Sequence, residues 1–129
     1  MVLSLEAAHQ QEGAHERLRE AISIRENKTL SIYQRELGMR NPFTATILNS
    51  LSNNYYALQD LDNAKRYAED ALKIRLELLK EHIDTAKSLF DLAMVHKEKG
   101  EFKEAKAYLE QCEAMQMKVL ADNMKDLER

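Results

Sequence analysis

"YYALQDLDNAKRYAEDALKIR", residues 55–75, places Ala64, Ala68 and Ala71 on one stripe of a helix. A globular core ordinarily fills such a stripe with Leu or Ile, so the run of small side chains needs a reason. Forty-one residues downstream, "HKEKGEFKEAKAYLEQCEAMQ", residues 96–116, carries Ala105, Leu109 and Cys112 in the matching places. The first stretch is therefore one copy of a repeat. Laying residues 41–81 on 82–122 without a gap pairs Thr44, Ala45, Leu48, Leu51 and Ala64 with identical residues at Thr85, Ala86, Leu89, Leu92 and Ala105. Lys65, Tyr67, Glu69 and Leu79 likewise meet Lys106, Tyr108, Glu110 and Leu120. Self-similarity at this period means stacked helical hairpins, none of which can bury its apolar face alone.

Composition agrees. A chain of 129 residues has room for one domain with a real core, and one Pro and three Gly barely interrupt its Ala, Leu, Glu, Lys and Gln. The class is all-α. Nineteen Lys and Arg against 22 Asp and Glu give a net charge of -3, with both signs mixed along the chain. No basic field for nucleic acid arises from that pattern. The single cysteine, Cys112, has no internal disulfide partner, and no secretory h-region or long apolar run points to a membrane. A reducing, cytoplasmic setting is expected.

Punctuation divides the chain. Leu3 to Leu37 is helix-prone, with Gly13 as a break, and Gly38 ends that stretch. Asn41 as a cap and Pro42 in the first turn start a helix that runs to about Leu58. A turn at Gln59 and Asp60 leads to a helix from about Leu61 to Lys80. Asp84 is the expected cap of the next helix, which ends near Lys99; Gly100 turns the chain, and the last helix starts near Phe102 and passes Met124. The expected organisation is one domain: an atypical N-terminal hairpin over 1–40, a repeat over 41–81, and a repeat over 82–129 with an extended last helix.

On these residues the chain resembles a tetratricopeptide repeat protein, of the longer kind found in kinesin light chains. Leu48, Leu51, Ser52 and Tyr55, with Leu89, Leu92, Ala93 and His96, match the first-helix pattern of that family. The alanine stripe and its copy match the small, bulky, small triplet of the second helix. "LGMRNPFTA", residues 37–45, resembles the kinesin light chain junction. Departures are Leu48 and Leu89 for the usual tryptophan, the small Ala68, and Gln59 where the next copy has Gly100. The resemblance implies an α-α superhelix, a solenoid of stacked antiparallel hairpins. In such a stack each second helix also meets the next unit, and small side chains allow close approach. Leu48, Leu51, Tyr55, Leu61 and Tyr67, with Leu89, Leu92, Phe102 and Tyr108, supply the bulk, at roughly 1.5–3 kcal/mol for each aliphatic side chain buried.

Function in that architecture lies on the inner, concave face of the first helices. Thr46, Asn49, Asn53 and Tyr56 share one face, and Lys87, Phe90, Met94 and Lys97 form the stripe of the next copy. Asn suits the main chain of an extended peptide, and Phe90 and Met94 suit an apolar anchor. These residues are the expected contacts for a peptide or helix of a partner protein. A carboxylate clamp for acidic C-termini, known in the family, is approached by Asn53 and Lys87, but Asp91 occupies the place of its arginine. Lys87 and Lys97 are too few for the basic groove of kinesin light chains.

Catalytic chemistry is not expected. His9 and His15 lie six apart rather than the four that presents both to one zinc, so no metal site is read there. Cys112 occupies a packing place, and no glycine-rich phosphate loop or other cofactor site appears. The alternative function is a self-associating helical scaffold: Val119, Leu120, Met124 and Leu127 continue an apolar stripe beyond the reach of a hairpin partner, and a second copy is one way to cover it.

Overall fold

A computed structural model describes the backbone of residues 2–128, with side chains at Leu5 and over 7–128. It contains α1 (Val2–Ile24), a π-helical segment (Arg25–Leu30), α2 (Ser31–Leu37), α3 (Pro42–Ala57), α4 (Leu61–Leu78), α5 (Ile83–Glu98) and α6 (Phe102–Glu128). The helices α3 and α4 form one hairpin, α5 and α6 a second, and α4 packs on α5 to stack the two. The array is an all-α repeat solenoid.

Local chemistry sets the helix ends. Asn41 Oδ1 accepts from Phe43 N at 2.8 Å with Pro42 in the first turn, and Asp60 Oδ1 accepts from Asn63 N at 3.4 Å. The cap of α5 is His82, not the expected Asp84: His82 Nδ1 accepts from Asp84 N at 3.0 Å, and Asp84 sits inside the first turn. Its carboxylate there favours the positive end of the helix dipole.

The N-terminal hairpin expected over 1–40 is absent among the described residues. Helix α1, the π segment and α2 follow one another without a turn, and Gly13 does not break α1. The run lies against α3 through the π segment in particular, and Ile22 of α1 and Leu30 of the π segment enter the first core. Glu26, within the π segment, accepts hydrogen bonds on one carboxylate oxygen from Tyr55 Oη at 2.6 Å and Tyr67 Oη at 2.7 Å. The two rings stack with centroids 5.6 Å apart. Burial, and then Glu26, raise both phenols, Tyr67 to about 12.

The alanine stripe has a direct explanation. Ala64, Ala68 and Ala71 are wholly buried, because α4 is covered on two sides. Ala71 and Ile74 join Leu48 and Leu51 in the first core, while Ala68 and Leu72 join Leu89, Leu92 and Cys112 in the second. A helix between two neighbours has no room for bulk on both faces. Among the described residues helix α6 packs on α5 alone, so of its 27 residues Ala105 and Cys112 are the buried ones there. Phe102, expected to be buried like Leu61, is 68% exposed for the same reason.

Candidate functional site

The α3/α5 face is built from residues on neighbouring first helices. Tyr56 Oη donates to Glu98 Oε1 at 3.2 Å, and Asn49 Nδ2 donates to Asp91 Oδ2; both pairs lie forty-two apart in sequence, one residue beyond the repeat. Between them opens a hollow of about 220 Å³ lined by Asn53, Tyr56, Phe90, Asp91, Met94 and Val95. Phe90 is 45% exposed there, a large apolar side chain left facing solvent.

The eight expected contact residues divide. Asn53, Tyr56, Phe90 and Met94 meet in this hollow. Thr46, Lys87 and Lys97 are exposed on α3 and α5 but do not line it. Asn49 needs correction: it is 2% exposed and is not available to a partner. Its Oδ1 accepts from Ser88 Oγ at 2.9 Å while its amide donates to Asp91. The reason is that α5 packs across α3 at this position, so a polar side chain on the inner stripe becomes part of the joint between units.

Arg75 completes that joint. It is 4% exposed and donates to Ser88 Oγ at 2.7 Å, to the Asp84 carbonyl at 3.0 Å and to Thr46 Oγ1 at 3.4 Å. Burial lowers its pKa, and Asp84 and Asp91 oppose that shift. A buried guanidinium persists only with several such acceptors. Sequence reasoning missed Arg75, Ser88 and Asp91 as one network. The available signal was a basic residue continuing the alanine stripe, four residues after Ala71.

Asp91 is held between this joint and the hollow. Burial raises its carboxyl above its ordinary value, against the Asn49 hydrogen bond and the charges of Lys87 and Arg75, which pull it down. The hollow therefore carries a negative charge at Asp91.

At the far end, α6 outruns α5 by 27 residues to 16. Val119 is half-buried, whereas Leu120, Met124 and Leu127 are exposed at 55%, 55% and 86%. Cys112 is buried, with its Sγ 3.3 Å from the Ala86 carbonyl, and burial raises its thiol pKa. Among the described residues no group of three or more His, Cys, Asp or Glu is placed to hold a metal ion, and no helix is long and apolar enough to cross a membrane.

No curated protein matches the sequence. The family model described as tetratricopeptide repeat matches residues 27–77 and 44–118. Among solved structures, the crystal structure of BtubC (BKLC) from P. vanneervenii is similar, with a TM-score of 0.67 and 26% identity over 88% of this chain. The match spans 43% of the BtubC chain. Tetratricopeptide repeats are generally protein-protein interaction modules. With a matched region covering most of its length and a long repeat unit, the chain belongs to the tetratricopeptide repeat family, in its kinesin light chain type.

Proposed function

We propose that the chain is a non-catalytic interaction module that captures an extended segment of a partner protein on its α3/α5 face. No bond is made or broken; binding is an equilibrium between two protein surfaces. The observation that carries this reading is the hollow of Asn53, Tyr56, Phe90 and Met94, which offers an apolar floor beside an amide able to donate and accept. Thr46, Lys87 and Lys97 flank it and would meet the ends of the segment. The test is panning of a displayed random peptide library against the chain and its Asn53→Ala and Phe90→Ala variants. Loss of enrichment in both variants supports the reading, and equal enrichment by all forms sinks it.

A second reading is self-association through α6. The exposure of Leu120, Met124 and Leu127 favours it, since these positions continue one helical stripe with Leu109 and Met117. Light-scattering molar mass at high concentration decides it: a strict monomer removes the scaffold hypothesis, and a dimer dissociated by Leu120→Ser with Met124→Ser establishes it.

A further inference from the structure

The hollow between α3 and α5 has an unbalanced chemistry. Of its six lining residues Asp91 alone carries a charge. One carboxylate oxygen, Oδ2, is taken by the Asn49 amide; Oδ1 receives no donor among the described residues and is not sealed from solvent. Asp91 also makes no ion pair among the described residues. The neighbouring cations do not neutralise it by contact. Lys87 lies one turn earlier on α5, and Arg75 spends its donors on Ser88 Oγ, Thr46 Oγ1 and the Asp84 carbonyl.

We infer that this hollow recognises a lysine or arginine side chain of the captured segment, with Asp91 as its acceptor and Phe90 and Tyr56 as its walls; the inference rests on the peptide-capture reading above. Three properties of the site converge on a cation. First, the volume of about 220 Å³ lies below the roughly 300–1,000 Å³ of sites for drug-sized ligands and suits one side chain. Second, an apolar guest would shut Asp91 Oδ1 away from water without a donor, and an anion would be repelled by the carboxylate. Third, aromatic walls accept the methylene stem of a basic residue and attract its charged head. Glu98, held by Tyr56 Oη at 3.2 Å, adds a second negative charge at the rim. The raised carboxyl of Asp91 fits the same picture, because burial without an ion pair leaves its charge undercompensated. Such a guest is opposite in sign to the acidic C-termini that a carboxylate clamp holds.

The experiment uses peptides selected from the displayed library, labelled with fluorescein and titrated by anisotropy against the full chain. Selected sequences are expected to share a basic residue at one fixed position. Replacing that residue by citrulline (for arginine) or norleucine (for lysine) should weaken binding to the wild-type chain by about ten- to a hundredfold, the usual worth of a charge-assisted hydrogen bond. The same replacement should change little in Asp91→Asn, whose fold is checked by circular dichroism. Lys87→Met provides a second arm that leaves Asp91 in place: whatever it does to capture in general, it should tighten the basic peptide relative to the neutral one. Absence of a shared basic position, an equal loss in Asp91→Asn, or an equal effect of Lys87→Met on the basic and neutral peptides overturns the inference while peptide capture stands. Equal binding by Asn53→Ala and Phe90→Ala overturns both.

Discussion

Replacing Gln59 by glycine should stabilise the protein, and the reverse change at Gly100 should destabilise it by a similar amount. The two hairpins close through the same turn. Gln59 and Gly100 have φ of 62° and 79°, in the left-handed region. Gln59 N donates to the Tyr56 carbonyl at 2.9 Å and Asp60 N to that of Tyr55 at 3.0 Å; Gly100 N and Glu101 N repeat this with Lys97 at 3.0 Å and His96 at 2.9 Å. A Cβ built at Gly100 meets nothing within 4 Å, so crowding plays no part and the backbone conformation alone matters. An L-residue in this region costs roughly 1–2 kcal/mol. Glycine returns about 0.5–1 kcal/mol of that through the greater freedom of its unfolded chain. The side chain of Gln59 adds only an exposed hydrogen bond to the Tyr56 carbonyl at 3.3 Å. The expected net change is therefore about 0.5–1 kcal/mol, stabilising for Gln59→Gly and destabilising for Gly100→Gln. Urea unfolding followed by helical circular dichroism measures it, as a shift of the midpoint by about 0.5 M at constant slope. If the two substitutions move the midpoint in the same direction, or Gln59→Gly lowers it, the equivalence of the two turns is wrong.

Glu26→Gln should lower the pH at which Tyr67 ionises, from about 12 toward but not to 10.0, because burial is the larger cause of the shift. Since the folded phenol titrates above the unfolded one, its stabilising effect is complete below pH 10.0 and is lost as pH rises toward about 12; tyrosinate absorbance against pH gives the ionisation and urea unfolding at each pH the stability, and an unchanged absorbance curve would refute the Glu26 contact. Asp91→Asn should be more stable than the wild type at neutral pH, with the gap closing in acid: a carboxyl raised in the folded state contributes its stability below its ordinary value and loses it as pH rises. Thermal melts across that range test the sign. Leu61→Ser should cost about 1–2 kcal/mol and Phe102→Ser less than about 0.5 kcal/mol, although the two positions are equivalent in the repeat; equal costs would mean that α6 is covered in solution.

The reading of fold from sequence worked where one local rule decided the outcome. The helix start at Asn41 and Pro42, the turns at Gln59 and Gly100, and the packing place of Cys112 follow from capping, left-handed turn geometry and the repeat register. These are properties of a few neighbouring residues. The N-terminal run went differently, since no composition signal separates a broken helix at Gly13 from one that continues through a π segment. What decides that is the pull of Ile22, Leu30 and Glu26 onto α3 and the two tyrosines, contacts made across 29 and 41 residues of sequence in the case of Glu26.

The chain's own order of residues was thus enough to establish a stack of two-helix units, because periodicity and small-residue spacing survive in one dimension. Tertiary structure alone decided which polar residues of the inner stripe remain free. Asn49 and Asn53 are one helical turn apart and chemically identical, yet the crossing of α5 buries Asn49 against Ser88 and Asp91 and leaves Asn53 open in the hollow. Burial is a property of where the neighbouring helix passes, and that path is set by Arg75 and the alanines of α4 acting between units.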